Sequence, residues 1–265
     1  MDVVSETVEM GVREQRFDLK CDDVVVPGLR WSPEDDDNVR TTILIGHGGT
    51  QHKRVPNVLA LARRFVRHLG YAAVALDAPG HGERITDPEG AERRRRILVE
   101  RIAAGPGAPE RTYSPEDIAE WKNRTAQGGK EWHALVDELS ASNPGHTFGY
   151  WGVSMGTMIG LPYVSSDPRI SAAVLGLAGL GGTPGATALE TAARELRAPV
   201  LFVFQWDDEL MSREAGLRLF DAFGSTEKAM HIHPGGHIET PLWERQAYEA
   251  FFARHLGRPE SPDRS

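Results

Sequence analysis

The sequence has 265 residues, of which 40% are hydrophobic and 26% are charged. This composition is typical of a globular protein and excludes disordered, collagen-like and fibrous chains. The 30 basic and 38 acidic side chains give a formal net charge of −8, which argues against nucleic acid as a partner because an acidic surface gains no counterion release.

Short β-rich runs alternate with segments of helical periodicity along most of the chain. We count about eight candidate strands, and the alternation predicts an α/β fold with a mostly parallel sheet and helices on both faces. The first two strands have no helix between them, so we expect an antiparallel start. The candidate strands are Gln15 to Lys20, Asp23 to Trp31, Thr41 to Gly46, Tyr71 to Asp77, Thr147 to Val153, Ala172 to Leu177, Pro199 to Gln205 and Lys228 to His233.

Two of the helical segments carry clear start signals. Pro56 precedes apolar residues at helical spacing as far as Leu69, which predicts a crossover helix. Ser114 followed by proline and two acids predicts the start of a second, long helix that runs towards Leu139, with the pair Gly128 and Gly129 as a possible break.

The domain organisation follows from length and composition. We expect a single domain over residues 1–257 and a polar C-terminal tail over 258–265. The least regular segment, residues 85–113, combines a run of arginines with Gly-Pro turns and is a candidate small flap.

The sharpest local pattern is Gly152-Val153-Ser154-Met155-Gly156, which lies between a candidate strand and a segment of small residues. In a G-x-S-x-G elbow, a strand turns abruptly into a helix and holds the serine hydroxyl outward. The glycines are needed because the neighbouring backbone comes too close for a Cβ atom. Ser154 is therefore a candidate nucleophile.

A serine nucleophile needs a general base and an acid that orients that base. Asp207, Asp208 and Glu209 follow a buried-looking strand, where functional side chains are often presented, so any of the three could be the acid. His237 follows Pro234-Gly235-Gly236 after the last strand, in a loop that could deliver an imidazole to Ser154.

These motifs, together with Gly46-His47-Gly48-Gly49-Thr50 and Asp77-Ala78-Pro79-Gly80-His81-Gly82, occur in an order that resembles the α/β-hydrolase superfamily. Within it, the chain resembles the small, nearly lidless serine esterases of the dienelactone hydrolase-like group. The resemblance implies an α/β-hydrolase fold without a large lid and a catalytic triad of Ser154, His237 and Asp208, with Asp208 preferred over Asp207.

The resemblance also implies an oxyanion hole formed by the backbone N–H groups of Gly49 and Met155. Thr50 and Trp206 are possible substrate-binding residues, although Trp206 could equally pack against its neighbours. His47 and His81 adjoin tight glycine turns, and we expect them to be structural. The nucleophile is a serine here and usually a cysteine in dienelactone hydrolases proper, so their substrate is not transferred.

We therefore expect a carboxylic ester hydrolase that forms an acyl-serine intermediate and uses no cofactor. The alternatives are acyl transfer, amide hydrolysis or perhydrolysis by the same triad, or a binding protein that has lost turnover. We considered a zinc site at His231, His233 and His237 and set it aside, because no further ligand pattern is visible and the triad accounts for His237.

The expected partner is a small-molecule ester or acyl substrate, with no nucleic acid and no membrane. The single cysteine, Cys21, excludes an internal disulfide. The acidic N-terminus lacks signal-peptide features, so we expect a cytoplasmic protein. The sequence leaves open a homo-oligomer and the identity of the substrate.

Overall fold

A computed structural model describes residues 1–35, 39–106, 112–182 and 184–257. Its centre is a nine-stranded sheet with the strand order β1-β2-β3-β5-β4-β6-β7-β8-β9. The strands are β1 (Asp2–Glu9), β2 (Val12–Cys21), β3 (Val24–Pro33), β4 (Thr41–Gly46), β5 (Ala72–Leu76), β6 (Thr147–Val153), β7 (Ile170–Gly176), β8 (Val200–Gln205) and β9 (Lys228–His233).

The pairing is antiparallel from β1 to β3 and between β3 and β5, and parallel from β5 to β9. The predicted α/β fold with antiparallel N-terminal strands is confirmed. The sheet has one strand more than we expected, because β1 also pairs with β2. All of β1 is exposed, so it lacks the apolar pattern that marks a core strand.

Helices cover both faces of the sheet, as predicted. They are α1 (Pro56–Leu69), α2 (Pro88–Ala104), α3 (Pro115–Ser142), α4 (Met155–Ser166), α5 (Ala186–Glu195), α6 (Arg213–Ala222) and α7 (Glu244–Leu256), with a 3₁₀ turn at Gly82–Arg84. One hydrophobic core includes residues of α1 and α7, and the other includes residues of α3 to α6.

The glycine pair does not break α3. A Cβ atom on Gly128 would lie 2.7 Å from Cγ2 of Ile159 in α4, so this glycine allows the two helices to approach closely. Gly129 has open space around its Cα. The helix starts at a capping box formed by Ser114 and Asp117.

The segment between β7 and β8 has α5 as its one helix within the described residues, which agrees with the expected absence of a large lid. Residues 85–106 contain α2, whereas residues 107–111 and the predicted tail, 258–265, lie outside the described part of the chain. Among the described residues, no helix combines the length and apolar character needed to cross a membrane.

Candidate active site

Ser154 lies at the sharp turn between β6 and α4. Its backbone angles are φ 55° and ψ −120°, which is a strained conformation for a residue with a side chain. The turn is held by the Ser154 N–H, which donates to the Gly176 carbonyl at 2.8 Å. The fold therefore holds the hydroxyl at the carboxyl end of the central strands, where α/β proteins commonly bind ligands.

Both glycines of the elbow are sterically required. A Cβ atom on Gly156 would lie 2.3 Å from the carbonyl oxygen of Gly46, and one on Gly152 would lie 2.8 Å from the backbone of Gly156. Thr157 braces the same turn, since its hydroxyl oxygen lies 2.7 Å from the carbonyls of Gly152 and Gly176.

His237 contacts both Ser154 and Asp208. Its Nδ1 lies 2.8 Å from Oδ2 of Asp208, and its Nε2 lies 3.0 Å from Oγ of Ser154. Because the carboxylate accepts, the Nδ1–H group donates to it, which leaves Nε2 free to accept from the serine hydroxyl. The structure thus brings together the three side chains named from the sequence.

Of the two neighbouring aspartates, only Asp208 faces the imidazole. Its side chain is fully buried, and its other oxygen accepts from the N–H groups of Leu210 and Met211 at 2.8 and 2.9 Å. Asp207 points outward and pairs with Arg213 at 3.1 Å. The third acid, Glu209, accepts a hydrogen bond from the backbone N–H of His237 at 2.8 Å. It thereby holds the histidine loop, residues 234–243, which connects β9 to α7.

The loop after β4 faces the first residue of α4. A methyl group added to Gly49 would lie 3.9 Å from Cβ of Met155, so the two backbones are neighbours. Gln51 folds the loop, because its N–H donates to the Gly48 carbonyl at 3.3 Å and its side chain accepts from the Gly48 N–H at 3.2 Å. Met155 begins a helix, where backbone N–H groups lack partners within the helix.

The His47 side chain connects this loop to the loop after β5 by two hydrogen bonds. Its Nδ1–H donates to the Gly48 carbonyl at 2.8 Å, and its Nε2 accepts from the Ala78 N–H at 3.1 Å. Burial lowers the pKa of His47 to about 4, so the ring is neutral at pH 7. Burial also lowers the pKa of His81, whose ring is tilted against that of His47 with 5.4 Å between the ring centres.

Thr50 lines a cavity with a volume of about 600 Å³. One wall is the loop after β4, and α2 covers the opposite side with Ala91, Arg94 and Arg95. Trp206 lies elsewhere, on the acid loop, residues 206–212, which connects β8 to α6. The guanidinium carbon of Arg213 lies 4.4 Å from the centre of the Trp206 ring. Trp206 is 43% exposed, so it is not a core residue, and it does not line this cavity.

Several residues that shape the site were not predicted from the sequence. Gln51, Thr157 and Glu209 act on backbone groups, and such contacts leave no spacing pattern. The sequence indicated Glu209 only as one of three candidates for the acid that orients the base.

The chain is similar in structure to a cold-adapted esterase from an Arctic intertidal metagenomic library. The complex of that esterase with PEG matches with a TM-score of 0.79 and 34% sequence identity, over 96% of this chain and 99% of the other. A zinc-bound structure of a cold-adapted esterase, also from an Arctic intertidal metagenomic library, matches with a TM-score of 0.71 and 30% identity, over 96% of this chain and 100% of the other. Dienelactone hydrolase from Anabaena variabilis matches in fold, with a TM-score of 0.64 and 15% identity over 92% and 99%.

No protein-family model and no curated protein sequence matches the chain significantly. The 34% identity to the cold-adapted esterase, over 96% of this chain, identifies an esterase of the carboxylic ester hydrolase class. The chain belongs to the α/β-hydrolase superfamily together with that esterase, and it shares its fold with dienelactone hydrolase, so the resemblance seen in the sequence is confirmed.

Proposed function

We propose that the protein hydrolyses small carboxylic esters through an acyl-enzyme intermediate on Ser154. The observation that carries this proposal is the position of the His237 imidazole, 2.8 Å from Asp208 on one side and 3.0 Å from Ser154 on the other. The strained backbone at Ser154 adds support, because such strain occurs where a side chain is held for chemistry.

In the first half of the cycle, Oγ of Ser154 attacks the ester carbonyl while Nε2 of His237 takes the hydroxyl proton. Asp208 stabilises the resulting imidazolium through its hydrogen bond to Nδ1. The imidazolium then returns the proton to the leaving alcohol. In the second half, water gives a proton to His237 as it attacks the acyl-serine, and the imidazolium returns that proton to Oγ of Ser154 as the carboxylic acid leaves, which restores the resting site.

The negative charge of each tetrahedral intermediate falls on the former carbonyl oxygen. We assign its stabilisation to the N–H groups of Gly49 and Met155, because they belong to two backbone segments that face each other beside Ser154. Donors fixed in advance on two elements avoid reorganisation during the reaction. No cofactor takes part in this cycle.

We assign the part of the substrate remote from the reacting carbonyl to the cavity lined by Thr50 and by residues of α2; Ser154 and His237 do not line this cavity, and the link to them is Gly49, which precedes Thr50 in the chain. The cavity volume of about 600 Å³ lies within the range of small-molecule sites, and the short connection through α5 provides no large lid. Short acyl esters are therefore expected to react without interfacial activation. Amide hydrolysis, acyl transfer and perhydrolysis could use the same groups, but the 34% identity to an esterase favours ester hydrolysis.

A fluorophosphonate probe together with a series of p-nitrophenyl esters tests this function. Wild-type protein is expected to be labelled and active, whereas Ser154→Ala is folded, unlabelled and slower by several powers of ten. Ser166→Ala, at the other end of α4, is the matched control and keeps both properties. Labelling of Ser154→Ala, or activity within tenfold of wild type, would remove Ser154 from the mechanism.

A further inference from the structure

A second cluster of chemically active side chains lies behind the acid and histidine loops. His231 and His233 are alternate residues of β9, so their side chains share one face of the sheet. Glu244, the first residue of α7, reaches both of them. One carboxylate oxygen lies 2.7 Å from Nδ1 of His231, and the other lies 2.9 Å from Nε2 of His233.

The three side chains can supply one ligand atom each within a small volume. Two ring nitrogens and a carboxylate oxygen all lie within 4.8 Å of one another. In a tetrahedral zinc site with bonds of about 2.1 Å, ligand atoms are about 3.4 Å apart. The present separations bracket that value, so side-chain shifts of about an ångström would admit the ion.

The surroundings favour a cation. The Glu244 side chain is fully buried, and the two imidazoles are its only hydrogen-bond partners among the described residues. A buried carboxylate is costly unless positive charge compensates it. A divalent ion bound at this carboxylate would supply both ligand bonds and positive charge.

A buried amide gives a second, independent indication. Gln205 of β8 pairs in register with His233, which puts both side chains on the face covered by α7. The Gln205 side chain is fully buried, and neither its oxygen nor its nitrogen has a hydrogen-bond partner in the described parts of the chain. Such unpaired buried groups are rare in folded proteins, so this amide adds a polar group without a partner to the same face of the sheet.

We propose that His231, His233 and Glu244 bind one zinc ion, with a water as the fourth ligand on the solvent side of His231. Two imidazoles and one carboxylate suit zinc, whereas Mg²⁺ and Ca²⁺ prefer oxygen ligands. The His231 side chain is 40% exposed, which leaves an approach for the ion and room for the water. On binding, the proton on each ligating nitrogen moves to solvent or to the other ring nitrogen.

The zinc site would act on the loop that carries His237. Residues 234–243 connect β9 to α7, so the ligands stand at both ends of this loop and the ion closes it. His237 itself is no ligand, because Asp208 and Ser154 engage its two nitrogens. The zinc therefore stabilises the histidine loop and takes no part in the chemistry, and this proposal does not depend on the function proposed above.

Equilibrium dialysis of the EDTA-treated full-length protein against zinc alone tests the proposal, with thermal unfolding as a second measurement. Wild-type protein is expected to bind one zinc ion per chain and to unfold at a higher temperature with zinc. His231→Asn and Glu244→Gln should each weaken binding by more than about 100-fold, because loss of even an outer partner of a ligand costs 10- to 100-fold. Mg²⁺ at the same concentration should have no effect.

Two control variants make the result specific. His68→Asn removes an imidazole of similar exposure that lies 3.1 Å from the Glu249 carboxylate but belongs to no cluster of three metal-ligating groups within the described part of the chain. His237→Asn removes the triad histidine. Both should bind zinc as tightly as wild type. The proposal is overturned if wild-type protein binds no zinc, if His231→Asn binds it normally, or if His237→Asn abolishes binding; His231→Asn decides alone if Glu244→Gln does not fold.

Discussion

Asp208 and Asp207 are neighbours in the chain but face opposite sides of the acid loop. The Asp208 carboxylate is buried 2.8 Å from Nδ1 of His237, and the Asp207 side chain is 46% exposed beside Arg213. The two residues follow the end of β8, where the backbone turns and the Asp208 N–H donates to the Gln205 carbonyl at 3.4 Å, and this turn directs the two side chains to different sides. The structure therefore gives the two aspartates different expected effects on hydrolysis.

We predict that Asp208→Asn lowers turnover by at least about a hundredfold, because the amide can stabilise the wrong imidazole tautomer. Asp207→Asn is the matched control and should change turnover much less. Steady-state kinetics of both variants on one p-nitrophenyl ester measure the effect. The reverse ranking would assign the acid role to Asp207, and two mild effects would mean that His237 works without a strong orienting acid.

The parallel sheet and the meeting of Ser154, His237 and Asp208 were predictable because they depend on strong local patterns. Ser154 lies in a five-residue motif, and His237 follows two glycines after a strand. β1 was not predicted, because its entirely exposed residues give no core-facing alternation. The continuity of α3 through Gly128 was also left open, since only the packing against Ile159 explains that glycine.

The cluster of His231, His233 and Glu244 shows a second limit of prediction from the sequence. His231 and His233 were recognised as a pair, but the sequence suggested His237 as their third partner. The structure supplies Glu244 instead, from the start of α7. Nothing in the spacing of these residues indicates that α7 begins directly beside β9.

The glycine pair in α3 offers a stability test. Gly129→Ala should raise the free energy of unfolding by about 0.5–1 kcal/mol, because alanine favours a helix and the position is open. Gly128→Ala should lower it, because the new methyl group would lie 2.7 Å from Cγ2 of Ile159. Urea unfolding of both variants checks this prediction. Equal effects would mean that α3 and α4 do not approach as closely as described.

His47 gives the protein a pH-dependent stability. Its pKa is lowered by burial to about 4 in the folded state, against 6.5 for the free side chain. Below pH 6.5 the unfolded chain therefore takes up a proton that the folded chain does not, and this favours unfolding. The contribution is complete above pH 6.5 and is lost progressively as the pH falls towards 4.

We predict that the stability advantage of wild type over His47→Gln shrinks by up to about 3 kcal/mol across this pH range. Urea unfolding of both proteins at several pH values measures the difference, in which the shared effects of other titrating groups cancel. At pH 7 the variant should also hydrolyse esters more slowly, because His47 holds the loop that carries Gly49. Parallel pH profiles for the two proteins would contradict this account.

The last prediction concerns the charge of the substrate. Arg94 lines the cavity beside Thr50, and its pKa is lowered by burial and then by the nearby charge of Arg124. Glu120 and Asp87 attract Arg94 electrostatically, but among the described residues neither forms a hydrogen bond or ion pair with it. A ligand anion in the cavity would relieve the repulsion between the two guanidinium groups and gain a charge-assisted hydrogen bond.

Arg94→Gln should therefore raise KM at least about tenfold for an ester that carries a free carboxylate, since a hydrogen bond to a charged group contributes about 1.5–3 kcal/mol. A neutral ester of the same length should be affected less than about twofold. Arg95→Gln is the matched control, because Arg95 is already paired with Glu92 at 2.9 Å and is mostly exposed. Steady-state kinetics of both variants on the two esters provide the measurement. Equal changes of KM for the charged and the neutral ester would show that Arg94 shapes the cavity without recognising an anion.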